Sequence, residues 1–334
     1  MEEHPRVLAA GHADEDSVAR SDQVEVADRL TEPGGQPSLE PLEVTHPVVS
    51  VAQVDNRTGM RDCSPKGGGV DIPDFRLDNR VALVTGASRG IGRAVALGLA
   101  KAGAHVALAA RRLPDLEDVA GEVTALGRRA LPVSAHTGRR EDIDRLFDTV
   151  GTELGRLDIL VNNAATNPTF GPLVEMDETA WDKVMALNVK GYLLTAQRAA
   201  RLMRAQGRGS IVNVSSTAGW NGIPRKSHYC VAKAGLRTLT KVVAQEVGPH
   251  GIRVNCLVPG GIQTELLHNY WQRLAGEQGV SWQEIRDRGA KAVALERVAT
   301  TEEVAAAALF LAADESSAIT GQSINVDCGG VLIG

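Results

Sequence analysis

Tyr229 and Lys233 stand four residues apart in Tyr229-Cys230-Val231-Ala232-Lys233, at the start of a stretch whose spacing predicts a helix over residues 229–247. Residues i and i+4 share one helix face, so the phenol and the ammonium point the same way. A nearby ammonium favours the phenolate and is expected to lower the tyrosine pKa from about 10 toward working pH. A phenol so tuned can protonate a carbonyl oxygen as hydride arrives at carbon, a contribution of about 10²–10⁴ in rate. Ser216 follows an apolar run, residues 211–214, that reads as a strand. Its hydroxyl would hydrogen-bond the substrate oxygen and steady the developing charge. Taken singly, Tyr-x-x-x-Lys is more often a surface pair, and a serine after a strand more often a cap.

A second constellation is Thr85-Gly86-Ala87-Ser88-Arg89-Gly90-Ile91-Gly92, between an apolar run at 81–84 and a helical pattern at 91–102. Glycines let the backbone turn sharply and approach a pyrophosphate, and the helix start offers free N–H groups and a positive dipole end. The spacing is GxxxGxG, and a glycine turn alone serves packing as readily as binding. Position after a first strand and before a helix favours a dinucleotide. The second strand, 106–109, runs into Ala110-Arg111-Arg112, where a carboxylate would select NAD(H) through the ribose 2′-hydroxyl. Ala110 holds that place instead. Arg111, with Arg89 converging from the glycine turn, suits a 2′-phosphate, so NADP(H) is the expected cofactor and NAD(H) the alternative.

The elements that must position these groups alternate. Strands are expected at 81–84, 106–109, 130–133, 159–161, 211–214, 253–257 and 323–326. Helices are expected at 91–102, 116–126, 143–154, 181–204, 229–247 and 302–312. Continuous apolar strands between amphipathic helices read as α/β: one Rossmann-like, doubly wound parallel sheet in a single domain, residues 76–334. Residues 1–75, rich in Glu, Asp, Pro, Gly and Ser, read as a disordered extension. A second reading is a mis-assigned start, with residues 1–69 untranslated, because Lys66-Gly67-Gly68-Gly69 would be encoded by a purine-rich run ahead of Val70.

Composition narrows the function classes. The 334 residues are 43% hydrophobic and 23% charged, with net charge −5, an ordinary globular balance. No basic tract with interleaved aromatics offers a nucleic-acid footprint, so no nucleic-acid partner is expected. The start is acidic where a signal peptide is basic, and no apolar run is long enough to span a membrane, which reads as cytoplasmic. The four cysteines, Cys63, Cys230, Cys256 and Cys328, form no CxxC pair; free thiols are expected, with neither disulfide nor metal.

In this order and at these separations, the motifs resemble the short-chain dehydrogenase/reductase family across roughly residues 76–332. The resemblance rests on the glycine turn, Asn162-Asn163-Ala164-Ala165, Asn188, Ser216, Tyr229-Cys230-Val231-Ala232-Lys233 and Pro259-Gly260-Gly261-Ile262-Gln263-Thr264. The close, Leu295-Glu296-Arg297-Val298, Ile319-Thr320-Gly321 and Gly329-Gly330, is like that of bacterial 3-oxoacyl-carrier-protein reductases. The resemblance implies a catalytic tetrad of Asn188, Ser216, Tyr229 and Lys233. Asn188 would position a water behind the lysine, Lys233 would also hold the nicotinamide ribose, and Ser216 rather than Ser215 has the usual separation from Tyr229. It implies cofactor contacts from Gly86, Ser88, Arg89, Gly90, Ile91, Gly92, Arg111, Asn163, Ala164, Pro259, Gly260, Ile262 and Thr264.

Two positions depart from the family's pattern. Ala165 replaces a glycine. His136 stands where an aspartate or asparagine commonly meets the adenine, with Thr137 following; a packed or solvated histidine is the competing reading.

The implied activity is interconversion of a ketone and a secondary alcohol. Enoyl reduction, or an idle nucleotide-binding or regulatory protein, are the alternatives. A small carbonyl or alcohol substrate would be walled by residues 165–170, 220–228 and 265–294. Arg225, Lys226 and His228 would draw an anionic substrate or an acyl carrier, or else form a solvated charge cluster. Trp271 and Trp282 are candidates for a lid. The resemblance also implies a homotetramer or homodimer built on the long helices after Asn163 and Ser216.

Overall fold

The computed structural model describes residues 74–332. The expected extension and the reading of residues 1–69 as untranslated lie, apart from Asp74 and Phe75, outside the described residues. Seven strands, β1 (Val81–Thr85), β2 (His105–Ala110), β3 (Ala130–Ser134), β4 (Ile159–Asn162), β5 (Gly209–Val214), β6 (Ile252–Pro259) and β7 (Ser323–Val326), form one sheet. Its order is β3-β2-β1-β4-β5-β6-β7 and every pairing is parallel. The doubly wound α/β expectation therefore holds. The order reverses between β1 and β4, which opens a crevice at the carboxyl ends of these two strands, where such sheets place ligands.

Both faces of the sheet are covered, which is why its strands read as unbroken apolar runs. Along β1, Ala82 and Val84 belong to one core while Val81 and Leu83 belong to the other. The first core packs against α1 (Gly90–Lys101), α2 (Leu113–Ala125) and α9 (Thr301–Ala312); the second against α3 (Arg140–Leu154), α5 (Gly191–Gln206) and α6 (Ser227–Val247). Each fully buried Val or Leu contributes roughly 1.5–3 kcal/mol. Alanine and glycine let helices come close: a Cβ built on Gly98 of α1 would lie 3.4 Å from the Ala305 Cβ of α9.

Buried polar groups fix the register beneath the crevice. Thr195 Oγ1 donates to Asn162 Oδ1 (2.7 Å), Asn162 Nδ2 to Asn213 Oδ1 (3.0 Å) and Asn213 Nδ2 to Thr240 Oγ1 (3.0 Å). This chain ties α5, β4, β5 and α6 together in a setting where an unpaired polar group would cost about 1–3 kcal/mol. At the other end of the strands, buried Asp158 accepts from Arg156 (2.6 and 2.8 Å) and from the Val81 amide (2.9 Å).

The expected helix, 181–204, is helical throughout but holds one wider turn. Helix α4 (Glu178–Met185), capped by Asp177, is followed by a turn over Ala186–Lys190 in which Gly191 N bonds to Ala186 O, five residues back. Only then does α5 begin. The hydrophobic period runs through the insertion, so the sequence gives no break there. The stretch 265–294 holds α7 (Glu265–Gln278) and α8 (Trp282–Lys291), capped by Thr264 and Ser281. Trp271 and Trp282 stack across them, with centroids 6.5 Å apart and planes at 14°. None of the described helices is long and apolar enough to cross a membrane.

Candidate active site

Helix α6 carries Tyr229 and Lys233 on the face turned to the sheet. Lys233 is 1% exposed, with its Nζ 5.7 Å from the Tyr229 ring centroid. The ammonium donates to the Val214 carbonyl at 2.7 Å, and the Tyr192 hydroxyl donates to the same oxygen at 3.2 Å. Burial lowers the Lys233 pKa to about 8, and no carboxylate among the described residues compensates its charge. Burial also raises the Tyr229 pKa, and a hydrogen bond from Ser216 works against that rise. The expectation of a lowered phenol pKa is thereby corrected. In the protein alone the lysine is itself desolvated and spends its proton on a carbonyl, so the phenol stays protonated.

Ser216 and Ser215 part company at the end of β5. Ser215 Oγ is buried and donates to the Lys233 carbonyl at 2.7 Å, which clamps α6 to the sheet. Ser216 Oγ accepts from Ala218 N at 3.2 Å and lies near enough to the Tyr229 phenol to work against the rise in its pKa. The turn after it packs so tightly that a Cβ on Gly219 would come within 2.6 Å of the Lys233 backbone. Asn188 sits fully buried in the inserted turn before α5. Its Oδ1 accepts from Thr166 N (2.8 Å) and its Nδ2 donates to Thr166 O (2.9 Å), which fixes the start of the loop leaving β4.

The glycine turn has the shape of a dinucleotide cradle. Gly86 and Gly90 adopt φ of +66° and +56°, and a Cβ on Gly92 would collide with the Gly86 carbonyl. Helix α1 starts with no side-chain cap and no acid in its first turn, so its first amides and dipole end stay available to an anion. Asn163 Nδ2 donates to the carbonyls of Thr85 and Gly86, and Thr85 Oγ1 accepts from the amides of Asn163 and Ala164. These two residues therefore shape the turn itself. Thr264 caps α7, and its methyl would lie 3.6 Å from a Cβ on Gly90, which places it beside the turn. Gly260 bonds from its amide to Val326 O (3.1 Å), and Ile262 bridges to Ala299; both hold the segment after β6 against its neighbours.

Several expected contacts stand apart from this cluster. Arg111 is exposed at the end of β2, while Arg89, 80% exposed, pairs with Glu265 of α7 at 3.7 Å. His136 Nδ1 accepts from the Gly138 amide (3.1 Å), so only its Nε2 is left for an outside partner, and Thr137 is buried under α5. The Arg225-Lys226-His228 group also divides. His228 is 1% exposed, both ring nitrogens lack partners, and burial lowers its pKa, so it adds no charge. Arg225, at φ +69°, accepts the Gly171 amide on its carbonyl and is exposed. Tyr192, beneath the lysine, has no sequence signal that would have singled it out. Cys230, Cys256 and Cys328 are free, and burial pushes the Cys256 thiol up to about 11. Cys63 lies outside the described residues.

A crevice with a glycine cradle at one end and a Ser–Tyr–Lys cluster at the other agrees with the relatives. A family profile described as enoyl-(acyl carrier protein) reductase matches residues 86–330. Dehydrogenase/reductase SDR family member 4 of Oryctolagus cuniculus is 37% identical over 76% of this chain and 94% of its own length. The short-chain dehydrogenase/reductase astE of Aspergillus oryzae is 38% identical over 78% and 97%. A short-chain type dehydrogenase/reductase from Mycobacterium marinum superposes with a TM-score of 0.70 at 37% identity, covering 78% of this chain and 98% of its own. A 7α-hydroxysteroid dehydrogenase complexed with NADH and 7-oxo glycochenodeoxycholic acid does so with 0.71 at 30% identity, covering 77% and 96%. The chain belongs to the short-chain dehydrogenase/reductase family of oxidoreductases.

Proposed function

We propose that the protein is an NADPH-dependent oxidoreductase that interconverts a ketone and a secondary alcohol, with Tyr229 as general acid and base. The observation that carries this reading is the half-buried Tyr229, whose ring centroid lies 5.7 Å from the Nζ of buried Lys233 on the face of α6 next to Ser216. The glycine cradle and the uncapped start of α1 fit a pyrophosphate. A nicotinamide dinucleotide bound there supplies or accepts the hydride. The chain's own residues handle the proton: Tyr229 gives it to the carbonyl oxygen, Ser216 hydrogen-bonds that oxygen, and Lys233 offsets the charge left on the phenol. Asn188 anchors the loop over the crevice and would position the water behind the lysine.

The choice of NADPH rests on Ala110, which leaves no carboxylate at the end of β2, and on exposed Arg111 beside it. The Arg89–Glu265 pair is exposed and weak, worth about 0–1 kcal/mol, and can open to a 2′-phosphate. His136, Asn163, Ala164, Pro259, Ile262 and Thr264 complete the proposed cofactor contacts. Enoyl reduction is the second reading, favoured by the description of the matching family profile. The interval of four between Tyr229 and Lys233 weighs against it, since related enoyl reductases lengthen that interval. We also read the protein as a cytoplasmic homodimer or homotetramer, for which light scattering is the check.

The test is a panel of ketones and 2-enoyl thioesters with NADPH and NADH, following loss of the reduced cofactor's absorbance. Ketone turnover that Tyr229→Phe lowers by about 10²–10⁴, with cofactor binding kept, is the expected result. Unchanged turnover in that variant removes Tyr229 from the chemistry, and turnover of enoyl thioesters alone replaces the reading with the second one.

A further inference from the structure

Three segments leave the carboxyl edge of the sheet around Tyr229: the loop after β4 carrying Phe170, the loop into α6 carrying Lys226, and α7 carrying Tyr270 and Arg273. They meet in one cluster. Lys226 Nζ lies 4.6 Å from the Tyr270 ring centroid and 5.2 Å from that of Phe170. The Arg273 guanidinium lies 4.2 Å from the Phe170 centroid and 5.5 Å from that of Tyr270. The rings themselves are 6.0 Å apart.

The charges of this cluster are not balanced. Lys226 is half-buried yet has no carboxylate within 4 Å among the described residues. Arg273 has only Glu277 at 3.8 Å, a carboxylate that Arg225 shares at 3.6 Å. Ring faces attract cations but accept no hydrogen bonds of ordinary strength, so among the described residues the Lys226 donors, and those of Arg273 beyond its Glu277 pair, remain unspent. Burial lowers the Lys226 pKa and the nearby Arg273 lowers it further, as expected of two cations gathered without their anion. An anion entering here would make charge-assisted bonds in a partly desolvated setting, where they are strongest. Lys226 is three residues ahead of Tyr229, so that anion would sit within one small molecule's reach of the phenol.

We propose that Lys226 and Arg273 form the receptor for an anionic group, a carboxylate or a phosphate, on the substrate. Phe170 and Tyr270 cover the apolar stem that joins this group to the reacting carbonyl. The word substrate rests on the ketone–alcohol reading; the anion site does not. Arg225 and Glu277 close the rim, and His228 takes no part.

The experiment is calorimetric and needs no turnover. Hexanoate, hexyl phosphate and hexan-1-ol are titrated into the full-length protein saturated with oxidised cofactor. An anion should bind about tenfold or more tightly than the alcohol. Lys226→Met and Arg273→Met should each bring that preference to within about threefold, and Lys226→Arg should restore it. Which anion wins distinguishes a free carboxylic acid from a phosphorylated or carrier-borne substrate. No anion preference in the wild type, or weakening of all three ligands alike in the variants, overturns the proposal and leaves the cations as latches of α7. Anion preference without turnover of any ketone would retain the site and discard the ketone reading.

Discussion

The Lys233 ammonium donates a hydrogen bond to the carbonyl of Val214, the last residue of β5, at 2.7 Å, and among the described residues it meets no carboxylate. The bond holds α6 to the sheet at the point where Ser216 begins the next turn. A cation so placed is positioned for the phenol beside it but has a cost in the protein alone, because no opposite charge among the described residues shares its burial.

That cost has a pH signature. Lys233 titrates at about 8 in the fold against 10.5 when exposed. The folded chain binds fewer protons across this window, so stability rises as pH climbs from about 8 to 10.5; below it the buried ammonium costs roughly 3 kcal/mol. Lys233→Met should melt higher than the wild type near neutral pH and lack the wild type's extra rise above pH 8. Scanning calorimetry of the two proteins across this range is the check, and a less stable variant at neutral pH would mean that the Val214 bond outweighs burial.

Adjacent serines should give opposite results. Ser216→Ala removes the hydroxyl proposed to hold the substrate oxygen and should lower kcat about a hundredfold, with a stability change under about 1 kcal/mol. Ser215→Ala removes the clamp on the Lys233 carbonyl and should cost about 1 kcal/mol of stability with most of kcat kept. Steady-state rates and melting curves of both variants decide the assignment.

Cofactor choice should follow Arg111. Arg111→Ala is expected to raise KM for NADPH about tenfold and KM for NADH by less than about twofold, since only the former carries the 2′-phosphate. Equal losses would assign the end of β2 no part in discrimination.

Two glycines in helices should respond oppositely to alanine. In Gly92→Ala the new methyl meets the Gly86 carbonyl, and the glycine turn must shift, at about 1–3 kcal/mol and with loss of dinucleotide binding. Gly121→Ala, on α2 with nothing within 4 Å, should stabilise the fold by about 0.5–1 kcal/mol. Denaturant titration and cofactor fluorescence measure both.

The wider turn at Ala186–Lys190 escaped the sequence because inserting one residue into a helix leaves apolar residues such as Val184, Leu187 and Tyr192 at nearly helical spacing. The same holds for the Tyr192 hydroxyl and for the Lys226–Arg273 cluster, whose members come from segments far apart in the chain. Arg225, Lys226 and His228, by contrast, were adjacent and looked alike as positive groups. Burial and backbone direction separated them into an exposed arginine, a half-buried lysine and a neutral, buried histidine.

By itself the sequence determined the strand and helix alternation, the parallel sheet, the glycine turn and the four-residue interval of Tyr229 and Lys233. All of these are local: they follow from periodicity and from backbone freedom at single residues, which a neighbourhood of a few positions sets. The tertiary structure decided the protonation of the phenol, the different tasks of Ser215 and Ser216, the partner of Arg89 and the uncompensated cations near the crevice. Those depend on desolvation and on distances between side chains brought together only when the sheet closes, and neither quantity is carried by the order of residues along the chain.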